Sequence, residues 1–103
     1  MSTSNTPISD TEGDQFSALV QRTLDEYHST GGVPFSIDSD PEVARMIQGT
    51  DSKDCVTLSM EARRLADEIM NSDLVLEQRA RLAMALHNIT HKAEHRRWKE
   101  KLS

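Results

Sequence analysis

The sequence predicts an all-α fold, and three observations carry that reading. Apolar residues recur at three- and four-residue intervals through long stretches of the chain. Four aromatics, Phe16, Tyr27, Phe35 and Trp98, leave Leu, Ile, Val, Ala and Met to build the core, which is a helical composition. Only one short segment, Val33 to Ile37, alternates as a strand does, and it has no second strand to pair with. With 103 residues the chain holds one domain at most. Met1 to Glu12, rich in Ser, Thr, Asn and Pro, is expected to be a disordered polar head (1–12), leaving 13–103 as a single helical domain.

The elements follow in order. From Asp14 to His28, Phe16, Leu19, Val20, Thr23, Leu24 and Tyr27 share one helical face. Ser9, Asp10 or Thr11 can cap its start, and Gly31 with Gly32 stops it, because glycine accepts the positive φ of a helix terminus. Val33 to Ile37, interrupted by Pro34, reads as a packed loop. Asp40, Pro41 and Glu42 then signal a helix start, an acceptor followed by a φ-locked proline, for a short helix over Val43 to Gln48 that Gly49 closes. After the polar link Thr50 to Asp54, a third helix runs from about Lys53 to Met70 with Cys55, Leu58, Ala62, Leu65, Ala66 and Ile69 on its buried face.

Asn71, Ser72 and Asp73 make so short a link that the third and fourth helices should return on each other as an antiparallel hairpin. The predicted architecture is therefore a hairpin of two long helices with two shorter N-terminal helices packed on it. The fourth helix spans Ser72 to Leu102 and carries two faces. Val75, Leu82, Leu86, Ile89 and Ala93 form an ordinary core stripe. Opposite them, Leu76, Ala80, Met84, His87, His91, His95, Trp98 and Leu102 form a second band that the first contact cannot bury. A domain of this size buries only about 60 to 65% of its unfolded surface, which favours a dimer or a partner.

Composition removes several functions. The single Cys55 excludes an intrachain disulfide, no apolar run approaches the ~20 residues of a membrane span, and Met1 is not followed by a signal peptide, so a cytoplasmic protein is expected. Charge is uneven: Met1 to Asp54 carries ten acids and three bases (net −7), and Cys55 to Ser103 nine bases and seven acids (net +2), for a total of −5. A negative chain repels phosphate backbones at long range, so protein partners are favoured over nucleic acid.

Candidate chemistry concentrates on the second band. His87, His91 and His95 are spaced by four, and an i, i+4 pair can hold one divalent ion. The outer two start about 12 Å apart along the helix, so the three cannot share a coordination sphere, and no metal site or other cofactor is assigned. Lys92, Arg96, Arg97, Lys99 and Lys101 form a basic end suited to the helix dipole, to an acidic partner or to phosphates. Trp98 sits on the second band, where a second chain or an N-terminal helix would cover it. Met46, Met60, Met70 and Met84 read as core filling, and Cys55 as a buried, inert thiol. With no phosphate loop, closed zinc motif, nucleotide fingerprint or catalytic carboxylate pair, no enzyme is expected and no catalytic residue is assigned.

The expected function is a non-enzymatic regulator that occludes a protein target, with Leu76, Met84, His87, His91, His95, Trp98 and Leu102 as the partner-binding residues. The alternative is a nucleic-acid-binding or metal-responsive regulator that uses the basic, histidine-bearing C-terminal helix directly. In size, in the polar head MSTSNTPISD and in the stretch LAMALHNITHKAEHRRWKEKL, the chain resembles the small all-helical bacterial anti-activators of LuxR-type quorum-sensing regulators. That resemblance implies a homodimer that blocks its target's dimerisation or DNA binding, and a LuxR-type transcription factor as the partner.

Overall fold

The computed structural model describes residues 6–34, 36, 38–71 and 73–102. Among these residues it is all-helical, with Asp10–Ser29 (α1), Pro41–Met46 (α2), Cys55–Asn71 (α3) and Leu76–Leu102 (α4), a 3-10 turn at Thr50–Ser52, and no strand. Every other element packs on α4. Among the described residues no helix is long and apolar enough to cross a membrane.

Helix starts and stops are local. Asp40 Oδ1 accepts from the N–H groups of Glu42 (3.0 Å) and Val43 (3.2 Å), with Pro41 at the first helical position, so the short α2 begins where its sequence signal lies. Gly31 (φ 85°) follows α1 and Gly49 (φ 80°) follows α2, both in the left-handed region that side chains resist. Of the alternating segment, Val33 is 75% exposed, so the expected packed loop does not pack there; Phe35 and Ile37 lie outside the described residues.

The predicted faces of α1 and α3 are the buried ones. Phe16, Leu19, Val20 and Tyr27 from α1, and Leu58, Ala62, Leu65, Ala66 and Ile69 from α3, are all buried, with Leu24 half-covered. They close on Leu82, Leu86, Ile89 and Ala93 of α4. The first residue of α3 sits against the last turns of α4: Cys55 Sγ donates to the Ala93 carbonyl at 3.3 Å, and the Cys55 N–H donates to Glu100. Burial on α4 is wider than one stripe, because Ala80, Ala83, Ala85 and Thr90 are covered as well. Ala80, assigned to the open band by its spacing, is fully buried. Val75 is 72% exposed rather than core: it precedes the first residue of α4, so the helical period does not govern where it points.

The N-terminal boundary differs from the expectation. α1 starts at Asp10, capped by Ser9 Oγ accepting from the Glu12 N–H at 3.1 Å, and at 20 residues it is longer than the 17-residue α3. Ile8 is fully buried, and its N–H donates to Ser59 Oγ at 2.9 Å. Arg97 donates to the Ile8 carbonyl and to Asp10, while Arg63 donates to Glu12 and, at 2.9 Å, to the Thr6 carbonyl. Thr6 to Glu12 are thus part of the folded domain, and Met1 to Asn5 lie outside the described residues. A composition averaged over twelve mostly polar residues conceals one isoleucine that is fully buried.

These contacts belong to a wider pattern in which bases of the second half hold acids of the first. Arg63 pairs with Glu12, Arg81 with Asp40 and Glu42, Lys92 with Asp51, and Arg97 with Asp10. The hydrogen bond from Arg97 holds the Asp10 carboxyl below its ordinary pKa; Arg63 does the same for Glu12, Arg81 for Asp40 and Lys92 for Asp51.

Two outcomes follow for stability. Ile8→Ala should lower the unfolding free energy by about 2–5 kcal/mol in urea titration, whereas Thr11→Ala at an exposed position should change it by less than ~0.5 kcal/mol. Carboxylates with lowered folded pKa values stabilise the native state above their ordinary pKa of about 4 and lose that contribution as pH falls through the lowered values. The urea midpoint should therefore fall as pH drops below about 4, and Arg81→Gln, which strips Asp40 of its guanidinium, should make that acid drop shallower. An acid limb identical in both proteins would contradict the Arg81–Asp40 pairing.

Candidate protein-binding face

At about 100° per residue, the side chains of α4 divide among its neighbours. Ala93 and Glu100 meet α3. Phe16, Val20 and Thr90 flank the seam with α1. Arg81, Lys92 and Arg96 point to a third side, toward α2 and the 3-10 turn. The remaining arc holds Met84, His87, His91, His95, Trp98 and Leu102; α1 borders it at His87 and His91, and it is most open at Trp98 and Leu102.

The predicted band is therefore real in its C-terminal half and partly covered in its N-terminal half. Trp98 is 63% and Leu102 70% exposed, and His87, His91 and His95 are exposed too. Leu76 and Met84 are half-buried. The imidazoles of His87 and His91 lie nearly parallel, 18° apart with ring centroids 6.1 Å apart, as i, i+4 spacing dictates. Among the described residues no three His, Cys, Asp or Glu side chains gather where they could hold a metal ion.

Two depressions flank the His91–His95 ridge. One, of about 250 Å³, is lined by His91, Glu94, His95 and Trp98. The other, of about 460 Å³, runs between the ridge and the 3-10 turn, with Leu58 beneath it and Lys92, Arg96 and Lys99 along it. Thr50 and Asp51 form its far wall: Lys92 Nζ donates to Thr50 Oγ1 and to Asp51 Oδ1, both at 2.8 Å, and Arg96 donates to the Asp51 carbonyl. Nothing in the local sequence marks Thr50 and Asp51, which meet Lys92 across more than forty residues of chain.

The basic end is thus largely engaged within the molecule. Lys92 and Arg96 hold the 3-10 turn and Arg97 holds the N-terminal segment, so these three do not stand out to meet a phosphate backbone. Cys55 is a free thiol, fully buried and hydrogen-bonded to backbone. A second apolar exposure lies at the α3–α4 junction, where Met70, expected to fill the core, is 65% exposed and Val75, expected on the core stripe, 72%. Adjacent apolar residues in a link, Leu74 and Val75, were its only sequence signal.

Compared with protein-family models, with curated proteins and with solved structures, the chain matches none.

Trp98 reports directly on this face. In dilute protein at neutral pH, its fluorescence should be quenched by acrylamide almost as readily as in the urea-unfolded chain, since most of the indole is in water. Strong protection at low protein concentration would place Trp98 under cover within one chain.

Proposed function

We propose that this protein is a non-enzymatic regulator that binds a protein target through the open arc of α4 and occludes a surface the target needs. One observation carries the reading: a tryptophan 63% exposed on a helix whose other sides are packed. The helix backbone is held by α1 and α3, so presenting Trp98 costs little ordering on association, and large aromatic side chains in a rigid setting dominate binding energies. Leu102 and the half-buried Met84 extend the apolar centre, and His87, His91, His95 and Glu94 supply a polar rim, the arrangement of protein–protein interfaces.

The resemblance to small helical anti-activators gives the target class: a LuxR-type transcription regulator of quorum sensing, met in the cytoplasm and kept from dimerising or from binding DNA. The same arc would join two copies in a homodimer before the target is engaged. Direct nucleic-acid binding is the weaker reading, since the chain carries a net charge of −5 and three of its terminal cations are committed internally.

Trp98→Ala should leave the unfolding free energy within about 0.5 kcal/mol of the parent, because so exposed a side chain contributes little to the core. The same change should weaken binding to a purified LuxR-type regulator by about 2 kcal/mol, roughly 30-fold, measured by titration calorimetry. Undiminished affinity together with an unchanged sedimentation profile would refute the face.

A further inference from the structure

The apolar exposure at the α3–α4 junction is edged by two arginines. Beside the exposed Met70, a recess of about 290 Å³ opens between α1, the end of α3 and the start of α4. Leu19 and Ile69 are its buried lining, and Arg22 and Glu26 of α1 face it together with the half-buried Arg79 of α4. The Arg79 N–H donates to the Val75 carbonyl at 3.0 Å, so the exposed Val75 stands one turn before Arg79. Arg63, Arg81 and Arg97 each hold a carboxylate, whereas among the described residues neither the Arg22 nor the Arg79 side chain makes a hydrogen bond or an ion pair. Neighbouring acids are turned elsewhere: Asp25 accepts from Gln21 at 2.8 Å, and Glu77 pairs with Arg81 at 2.9 Å. Glu26 lies one turn from Arg22 without pairing to it. Two cations against one carboxylate leave the recess with a formal charge of +1, in a chain whose total is −5.

We propose that this corner is a second docking surface, for a protein segment that sets an apolar side chain on Met70 and Val75 and a carboxylate against Arg22 and Arg79. It stands apart from the Trp98 face, because the nineteen residues from Arg79 to Trp98 span about 28 Å of helix at ~1.5 Å per residue. Charge complementarity selects the occupant. A guanidinium presents five N–H donors in a planar fork that matches a carboxylate, and hydrogen bonds between ionised groups are the strong ones. Arg79 is half-buried before anything binds, so a carboxylate seated on it would be partly screened from water. Methionine and arginine are also side chains that protein interfaces favour. An extended polyanion such as DNA would meet the net negative field of the chain over most of its length. With contact surfaces toward both ends of α4, the protein can engage two segments at once.

The test uses the full chain, immobilised, and a random peptide library displayed on phage. Peptides should be recovered that carry Asp or Glu within a few residues of Leu, Met, Phe or Trp, and whose binding survives Trp98→Ala. For a synthetic peptide of such a sequence, replacing the acid by its amide should weaken binding about tenfold. Arg79→Gln should produce a similar loss, and the two changes together should cost less than the product of their separate effects, as expected of direct partners. Glu26→Gln, which removes the recess's own carboxylate, should tighten binding. Arg79→Gln should leave the urea midpoint unchanged, since that side chain bonds to nothing within the fold, so its effect on binding reads on the surface alone. A library yielding no peptide that is sensitive to Arg79→Gln and indifferent to Trp98→Ala would overturn the proposal and leave the Trp98 face intact. Sensitivity to Arg79→Gln without sensitivity to the acid-to-amide change would overturn the carboxylate. Displacement of the peptide by a short DNA duplex at equal molar concentration would overturn the choice of protein over nucleic acid. A sedimentation profile of the protein alone that changes with Arg79→Gln would assign the surface to a second copy of the chain instead.

Discussion

Four alanines let α4 act as the common partner of every other element. Ala80, Ala83, Ala85 and Ala93 are fully buried, and side chains that small let neighbouring helices approach closely on more than one side. Between them Leu82, Leu86 and Ile89 supply the bulk that α1 and α3 close upon. The consequence is that α4 is packed on most of its circumference, and whatever remains open on it is held rigidly.

Energy and alignment come from different interactions. Full burial of a leucine or isoleucine contributes about 1.5–3 kcal/mol, and Ile8, Leu58, Leu86 and Ile89 are all buried to that degree. A largely exposed ion pair contributes about 0–1 kcal/mol, and Asp10 and Asp51 are both about nine-tenths exposed. These two exposed pairs therefore add little to the total, but together with the less exposed Arg81–Asp40 pair they fix where each acidic N-terminal element sits along α4: Arg81 at the start of α2, Lys92 and Arg96 at the 3-10 turn, Arg97 at the start of α1. The imbalance of charge between the two halves of the chain is in large part resolved inside the fold. What is left for a partner is the apolar edge at Trp98.

The legible parts of the sequence were the periodic ones. Phe16, Leu19, Val20 and Tyr27 in α1, and Cys55 to Ile69 in α3, repeat at three and four and are buried as that repeat requires; Asp40 and Pro41 mark a helix start that depends only on adjacent residues. Three features were hidden for physical reasons. Ile8 is one apolar residue in a polar run, so only its burial and its hydrogen bond to Ser59 reveal its role. Alanine is compatible with a surface or a tight contact, which is why spacing misplaced Ala80. Ion pairs such as Lys92–Asp51 join residues forty or more apart and exist only once the chain has folded. In the candidate site, Trp98, Leu102 and the three histidines were legible as one exposed row, while the larger depression, to whose wall Thr50 and Asp51 contribute, was not.

α4 gathers the N-terminal segment into one cooperative unit, which engages Arg97 and leaves the arc at Trp98 open. Native-state hydrogen exchange at the Ile8 amide tests this most directly, because that N–H is bonded to Ser59 Oγ only if the segment is in place. Protection of Ile8 comparable to that of Leu86 and Ile89 in the centre of α4 is the predicted result. Exchange of Ile8 at the rate of an unstructured peptide, while α4 remains protected, would show that the segment is not held and that Arg97 is available to a partner after all.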